Sequence, residues 1–249
     1  MNHQPYMRIV KDADCAVLFI HGILGSPDHF DFLIPLVPNH ISVQNLLLPG
    51  HGRGVRDFSA SSMRKWESTV KNAIATLSKS HNRIYIVAHS MGTLLAIQEA
   101  INSPCIKGLF LLAIPVCPFP RKRMFTNAKA VFTGMIEDSD IHGKAADAAY
   151  SITADKHTLR YLPWILRYLE LFKKVSEIRK ILPQLGTPSI AYQSYNDEMV
   201  SNHSIQYLRQ NSNITVYELK NSWHNLYGDS DQEMILQGFQ HFINEIEAT

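Results

Sequence analysis

The chain is poor in the features that mark several large classes of protein. It carries only three cysteines in 249 residues. Cys15, Cys105 and Cys117 have no metal-ligand or redox spacing, and an odd number cannot close into disulfides within one chain. A reducing, cytoplasmic compartment is therefore the expectation. No apolar run reaches membrane-spanning length; the longest, Leu109 to Cys117, is interrupted by Pro115. The first fifteen residues lack the apolar stretch of a secretory signal. Charge is almost balanced, 24 Lys and Arg against 22 Asp and Glu, for a formal net of +2. Basic residues interleaved with acidic ones form no polyanion-binding stripe, so neither nucleic acid nor stable membrane insertion is expected. Internal repeats and low-complexity tracts are also missing.

What is present suits an ordinary folded enzyme-sized chain. A 45% hydrophobic composition over 249 residues supports one large domain, or one domain carrying an insertion. Ala16 to Ile20 is a continuous apolar run ended at Gly22, as in a strand covered on both faces. Val43 to Leu48 repeats it and stops at the turn cluster Pro49-Gly50-His51-Gly52. Further strands are predicted at Ile84 to Ala88, Leu109 to Ala113, Ser189 to Gln193 and Ile214 to Leu219. Between them, Trp66 to Leu77 and Glu233 to Ile246 show helical spacing, and Met91 to Ile101 reads as a buried helix. This alternation predicts an α/β fold: a mostly parallel central sheet with helices on both faces. From 116 to 182 the alternation stops and helical segments take over. The predicted organisation is a core in two parts, 1–115 and 183–249, with a helical insertion at 116–182.

Ala88-His89-Ser90-Met91-Gly92 joins a strand directly to a helix. So tight a reversal strains its central residue and demands small neighbours two positions away, which Ala88 and Gly92 supply. It also lifts the Ser90 hydroxyl above the sheet edge and aims the Met91 N–H and the helix N-terminus at the same point. On these residues the chain resembles the α/β-hydrolase superfamily, and within it the small carboxylesterases and monoacylglycerol lipases with a helical cap. Ala88 stands where the commonest form of this elbow has glycine; some family members share the alanine.

The resemblance implies further roles. The loop His21-Gly22-Ile23-Leu24-Gly25 follows the first strong strand, where the family places an oxyanion loop; Ile23 and Met91 then supply the two backbone N–H donors. The family order of serine, acid and histidine selects Asp197 and His224, each just beyond a late strand. Ser90 is the expected nucleophile, His224 the general base and Asp197 the acid that orients it. Glu198 is the nearest rival carboxylate. His21 and His51 read as structural braces, and His157, His203 and His241 as surface residues. Asp138-Ser139-Asp140-Ile141-His142 fits no tight metal site and reads as a solvated loop; a serine triad needs neither metal nor cofactor.

The insertion falls where the family places its cap, which shapes the substrate pocket and excludes water. Phe119, Met124, Phe125, Phe132, Met135, Trp164 and Leu166 are its candidate pocket residues. Together they suggest an apolar pocket and an ester of a fatty or aromatic acid. Arg121-Lys122-Arg123 reads as a solvated basic face. The expected activity is hydrolysis of a small-molecule carboxylic ester through an acyl-enzyme on Ser90. The same apparatus could act on a thioester, amide, lactone or carbon–carbon bond, and a non-catalytic ligand-binding member of the fold is the alternative from a different class. Serine as nucleophile argues against a haloalkane dehalogenase, which uses a carboxylate there.

Overall fold

Residues 3–248 are described in the computed structural model. The first part of the chain runs β1 (Tyr6–Arg8), β2 (Cys15–Ile20), β3 (Ser42–Asn45), α1 (Val55–Ser59), α2 (Met63–Leu77), β4 (Arg83–His89), α3 (Met91–Asn102) and β5 (Ile106–Leu112). Three helices follow without a strand among them: α4 (Lys122–Thr133), α5 (Ile141–Ala149) and α6 (Trp164–Ile181). The chain returns through β6 (Ser189–Ser194), α7 (His203–Leu208), β7 (Ile214–Leu219) and α8 (Asp229–Ala248). Across the sheet the order is β1-β3-β2-β4-β5-β6-β7. β1 pairs antiparallel with β3, and all other neighbours are parallel.

The central strands are apolar throughout because both of their faces are covered. Successive side chains point to opposite faces of a sheet, and here each face meets its own core. Ala16, Leu18 and Ile20 join Ile84, Ile86, Leu109 and Leu111 against the side covered by α2 and α3. Val17, Phe19, Tyr85, Val87, Phe110 and Leu112 face the other side, closed by Ile235, Phe239 and Phe242 of α8. Fully buried positions on both sides of β2 and β4 make these strands the rigid base of the molecule.

Several boundaries differ from the periodicity. β3 ends at Asn45, three residues before the apolar run does; Leu46 and Leu48 still pack into the core from the loop that follows. α8 starts at Asp229 because its first turn is polar, and the apolar spacing begins only at Met234 and Ile235. The short β1 and α1 were not anticipated, being too brief to carry a period.

Helix α6 is bound to the core by polar contacts. Lys174, buried although charged, pairs with Glu67 of α2 and with Glu177, and donates to Gln98 of α3 at 2.8 Å. Arg167 donates to the carbonyl oxygens of Ser59, the last residue of α1, and of Ser61 just beyond it. Among the described residues no helix is long and apolar enough to cross a membrane.

Candidate active site

The end of β4 delivers Ser90 in a conformation that few residues adopt, φ 51° and ψ −123°. The main chain turns there from strand to helix within one residue, and close packing leaves no room for alternatives. A Cβ on Gly92 would meet the carbonyl oxygen of Ile20 and lie 2.8 Å from that of His21. A Cβ on Gly22 would lie 2.8 Å from Cβ of Ser90. The loop after β2 therefore runs directly against the serine.

Two later loops bring in the partners. Asp197 follows β6 and is fully buried; its Oδ1 accepts the backbone N–H groups of Met199 and Val200 at 2.7 and 2.8 Å. Those bonds aim Oδ2 at His224, whose Nδ1–H donates to it at 2.8 Å. With Nδ1 protonated, Nε2 of His224 accepts from the Ser90 hydroxyl at 3.0 Å. The His224 backbone is fixed on both sides: its carbonyl accepts from His89 Nε2 at 3.1 Å, and its N–H donates to Glu198 Oε2 at 3.1 Å. Glu198 thus holds the backbone of His224, while Asp197 holds its ring.

Electrostatics set His224 apart from its neighbours. Burial pushes its imidazole down, but the charge and hydrogen bond of Asp197, reinforced by the charge of Glu198, outweigh this and leave its pKa above the ordinary histidine value. Burial lowers His21 to about 4 and His29 to about 3, and holds His51 and His89 well below the usual range. These four are neutral near pH 7. His21 braces the loop after β2: Leu48 N–H donates to its Nε2 at 3.0 Å, and its Nδ1–H donates to the Gly22 carbonyl at 2.8 Å.

Ile23 and Met91 both lie beside Ser90. Met91 is the first residue of α3, so its N–H is among those a helix leaves without an internal partner. Ile23 sits in the turn closed by Gly25 N–H on the Gly22 carbonyl at 3.1 Å, with Leu24 at φ 61°. Ser151, between α5 and α6, holds this turn from outside. Its N–H donates to the Leu24 carbonyl at 2.8 Å and its hydroxyl to the Gly25 carbonyl at 2.6 Å.

Above these groups is a cavity of 540 Å³. Ser90, His224, Ile23 and Leu24 form its floor, and Met124, Phe125, Phe132, Trp164 and Tyr168 are among its walls. Its lining is predominantly apolar and aromatic, with Ser90 and His224 at the floor and Tyr150, Tyr161 and Tyr168 among the other lining residues. A second, much smaller chamber of 10 Å³ lies beside His224, bounded by Gly22, His29, His89 and Asn225; it has room for about one water.

The structure corrects three of the expected pocket residues, Phe119, Met135 and Leu166. Phe119 is 61% exposed and does not line the cavity. Its neighbours Pro118 and Pro120 do, since alternate residues of an extended segment face opposite ways. Met135, 77% exposed, lies beyond Gly134, whose left-handed conformation ends α4 and turns the chain outward. Leu166 is likewise exposed on α6. Sequence reasoning missed Tyr150, Tyr168, Leu171, Phe172, Met199 and Val200, which do line the cavity. Trp164, Tyr168, Leu171 and Phe172 stand at i, i+4, i+7 and i+8 on α6, a spacing that could have revealed them.

Fold and site together define a class. A strand–serine–helix elbow, with an acid and a histidine on loops after later strands of a parallel sheet, is the arrangement of the α/β hydrolases. The chain belongs to the alpha/beta hydrolase family, whose model matches residues 17–234. It is 23% identical over 203 residues to a monoglyceride lipase homolog of monkeypox virus, covering 74% of this chain and 71% of the relative. Its fold is similar to that of a structure described with the metagenome-derived lipolytic enzymes LipS and LipT, with a TM-score of 0.74, 20% identity and 98% of each chain covered. It is also similar in fold to the monoacylglycerol lipase of Paleococcus ferrophilus, with a TM-score of 0.68, 17% identity, and 97% of this chain and 99% of that one covered.

Proposed function

We propose that this protein is a serine hydrolase of carboxylic esters, acting through an acyl-enzyme on Ser90. The observation that carries the proposal is the continuous hydrogen-bonded chain Ser90–His224–Asp197 opening onto an apolar cavity. In the first half-reaction Ser90 Oγ attacks the ester carbonyl while its proton passes to Nε2 of His224. Asp197 stabilises the resulting imidazolium. The backbone N–H groups of Ile23 and Met91 hold the oxyanion; losing one such donor costs on the order of 3 kcal/mol in the barrier. Collapse of the tetrahedral intermediate expels the alcohol, which takes the proton from His224. Water then attacks the acyl carbonyl by the same route in reverse, releasing the acid and restoring the Ser90 hydroxyl.

The helical insertion acts in this reading as a cap whose aromatic walls receive the acyl group. A cavity lined mainly by apolar and aromatic side chains favours an apolar acyl chain or an aromatic acid, in keeping with the lipases and lipolytic enzymes among the similar proteins. The test is hydrolysis of p-nitrophenyl esters from acetate to palmitate by the wild type and Ser90→Ala. Turnover that disappears in Ser90→Ala, with an optimum at medium or long chains, is the expected result. Turnover that survives the substitution would remove Ser90 as nucleophile. If no chain length is hydrolysed, labelling of Ser90 by a fluorophosphonate separates a specialised acyl hydrolase from a binding protein.

A further inference from the structure

Asp197 and Glu198 are adjacent, both are buried, and the reaction as written uses only the first. A second carboxylate in a nearly dry site is costly unless its partners compensate. Those partners show what it does. Oε2 of Glu198 accepts the backbone N–H of His224 at 3.1 Å, and Oε1 faces Nδ2 of Asn127 at 3.4 Å. Asn127 is the one buried residue of α4, whose other inward side chains face the cavity. The backbone at Glu198 is held as well, its carbonyl accepting Arg121 N–H at 2.8 Å. Next to it the stem of the insertion lies antiparallel on the acid-bearing loop. Phe119 N–H donates to the Met199 carbonyl at 2.9 Å, Ser201 N–H to the Cys117 carbonyl at 2.8 Å, and Pro118 bridges Val200.

We propose that Glu198 is a positioning residue for His224: it ties the backbone of the base-bearing loop to the stem of the insertion and places a second negative charge beside the imidazole. The proposal rests on His224 being the general base. Its two effects follow from geometry. The hydrogen bond to the backbone N–H fixes the loop independently of the ring contact made by Asp197. The charge stabilises the imidazolium that forms when Ser90 is deprotonated.

The surrounding groups leave this charge little competition. The His89 ring is 5.0 Å from that of His224, and His29 stacks on His89 at 3.8 Å; burial keeps both neutral. Burial also pushes the Tyr150 and Tyr227 hydroxyls up, so they stay protonated. His142, influenced by both Arg123 and Glu198, is shifted down by burial. Asp197 and Glu198 are the two carboxylates that draw His224 up.

Glu198→Gln keeps an acceptor oxygen and removes the charge; Glu198→Ala removes both. The primary readout is the titration of His224, followed by NMR through its Cε1 proton and assigned by the signal missing in His224→Gln. Glu198→Gln is expected to lower the His224 pKa by roughly half a unit or more. The acid limb of kcat/KM, or of the rate of Ser90 labelling by a fluorophosphonate, should move to lower pH with it. Glu198→Ala should in addition lose about tenfold in kcat with KM nearly unchanged, and Glu198→Gln should recover part of that loss. A merely structural glutamate would lower Tm and leave the titration in place. An unchanged His224 pKa in Glu198→Gln overturns the proposal, whatever happens to Glu198→Ala. The titration needs no turnover, so the two readings fail separately: an unshifted pKa in an active esterase overturns this proposal alone, whereas the absence of Ser90-dependent turnover and labelling overturns the hydrolase reading on which it rests.

Discussion

At the scale of single residues, Ser90, His224 and Asp197 form one hydrogen-bonded unit, and under the proposed mechanism their variants should behave as one. Ser90→Ala is expected to abolish nearly all turnover, His224→Ala to cost about as much, and the double variant little more. Losses that add would mean that the two side chains act in separate steps. Asp197→Asn should cost several orders of magnitude in kcat, because the amide no longer holds the productive tautomer; steady-state kinetics on one ester compares it with the variants of Glu198. The raised pKa of His224 also fixes a sign. In the proposed mechanism its neutral form is the base, so kcat/KM should fall as pH drops through a midpoint above the ordinary imidazole value of about 6.5. A midpoint below that value would contradict the influence of Asp197. The strand–helix reversal pointed to Ser90 locally, whereas Asp197 and His224 were expected only through the resemblance to the α/β hydrolases, which looks for an acid and a histidine just beyond late strands and left Glu198 as a rival. Tyr150, Met199 and Ser151 were not legible. Nothing local distinguishes them, and their roles arise only when distant segments meet.

At the scale of elements, β4 and α3 form the part least able to change. Alanine normally favours a helix by about 1 kcal/mol over glycine. At Gly92, however, the added Cβ runs into backbone oxygens of Ile20 and His21, which cannot swing aside as a side chain could. The clash should win, and Gly92→Ala should destabilise by about 1–3 kcal/mol. Denaturant unfolding measures this, and an unchanged midpoint would show that the elbow is looser than its packing suggests. The apolar runs of β2, β4 and β5 were readable because strands buried on both faces need no alternation. The insertion was readable as helical but not in detail. Its side chains divide between cavity, aromatic cluster and solvent, and composition alone does not separate those fates, as Phe119 and Met135 show.

For the whole molecule, the buried histidines predict a sensitivity to acid. His21 and His29 are neutral when folded, with pKa values of about 4 and about 3, and regain ordinary basicity of about 6.5 on unfolding. Below that value the unfolded chain binds more protons, so stability falls with pH until the folded-state values are reached. Each such group contributes up to about 1.4 kcal/mol per pH unit over that window. His51 and His89 act in the same direction, whereas His224, with its raised pKa, acts in the opposite one and only above about 6.5. Thermal unfolding between pH 7 and 4.5 should show a steep fall in Tm; a flat profile would mean that water reaches these rings.

The sheet is assembled from both sides of the insertion, and this bears on the order in which the protein is made. Ser90 precedes His224 by 134 residues, and β6 and β7 must first pair beside β5 before either loop can reach the serine. A growing chain on the ribosome therefore displays its serine with no base or acid beside it. The hydroxyl stays as unreactive as any other serine until the late strands dock. Under the proposed mechanism, synthesis itself delays the appearance of a nucleophile, and a chain cut short before residue 224 lacks the histidine that would activate one.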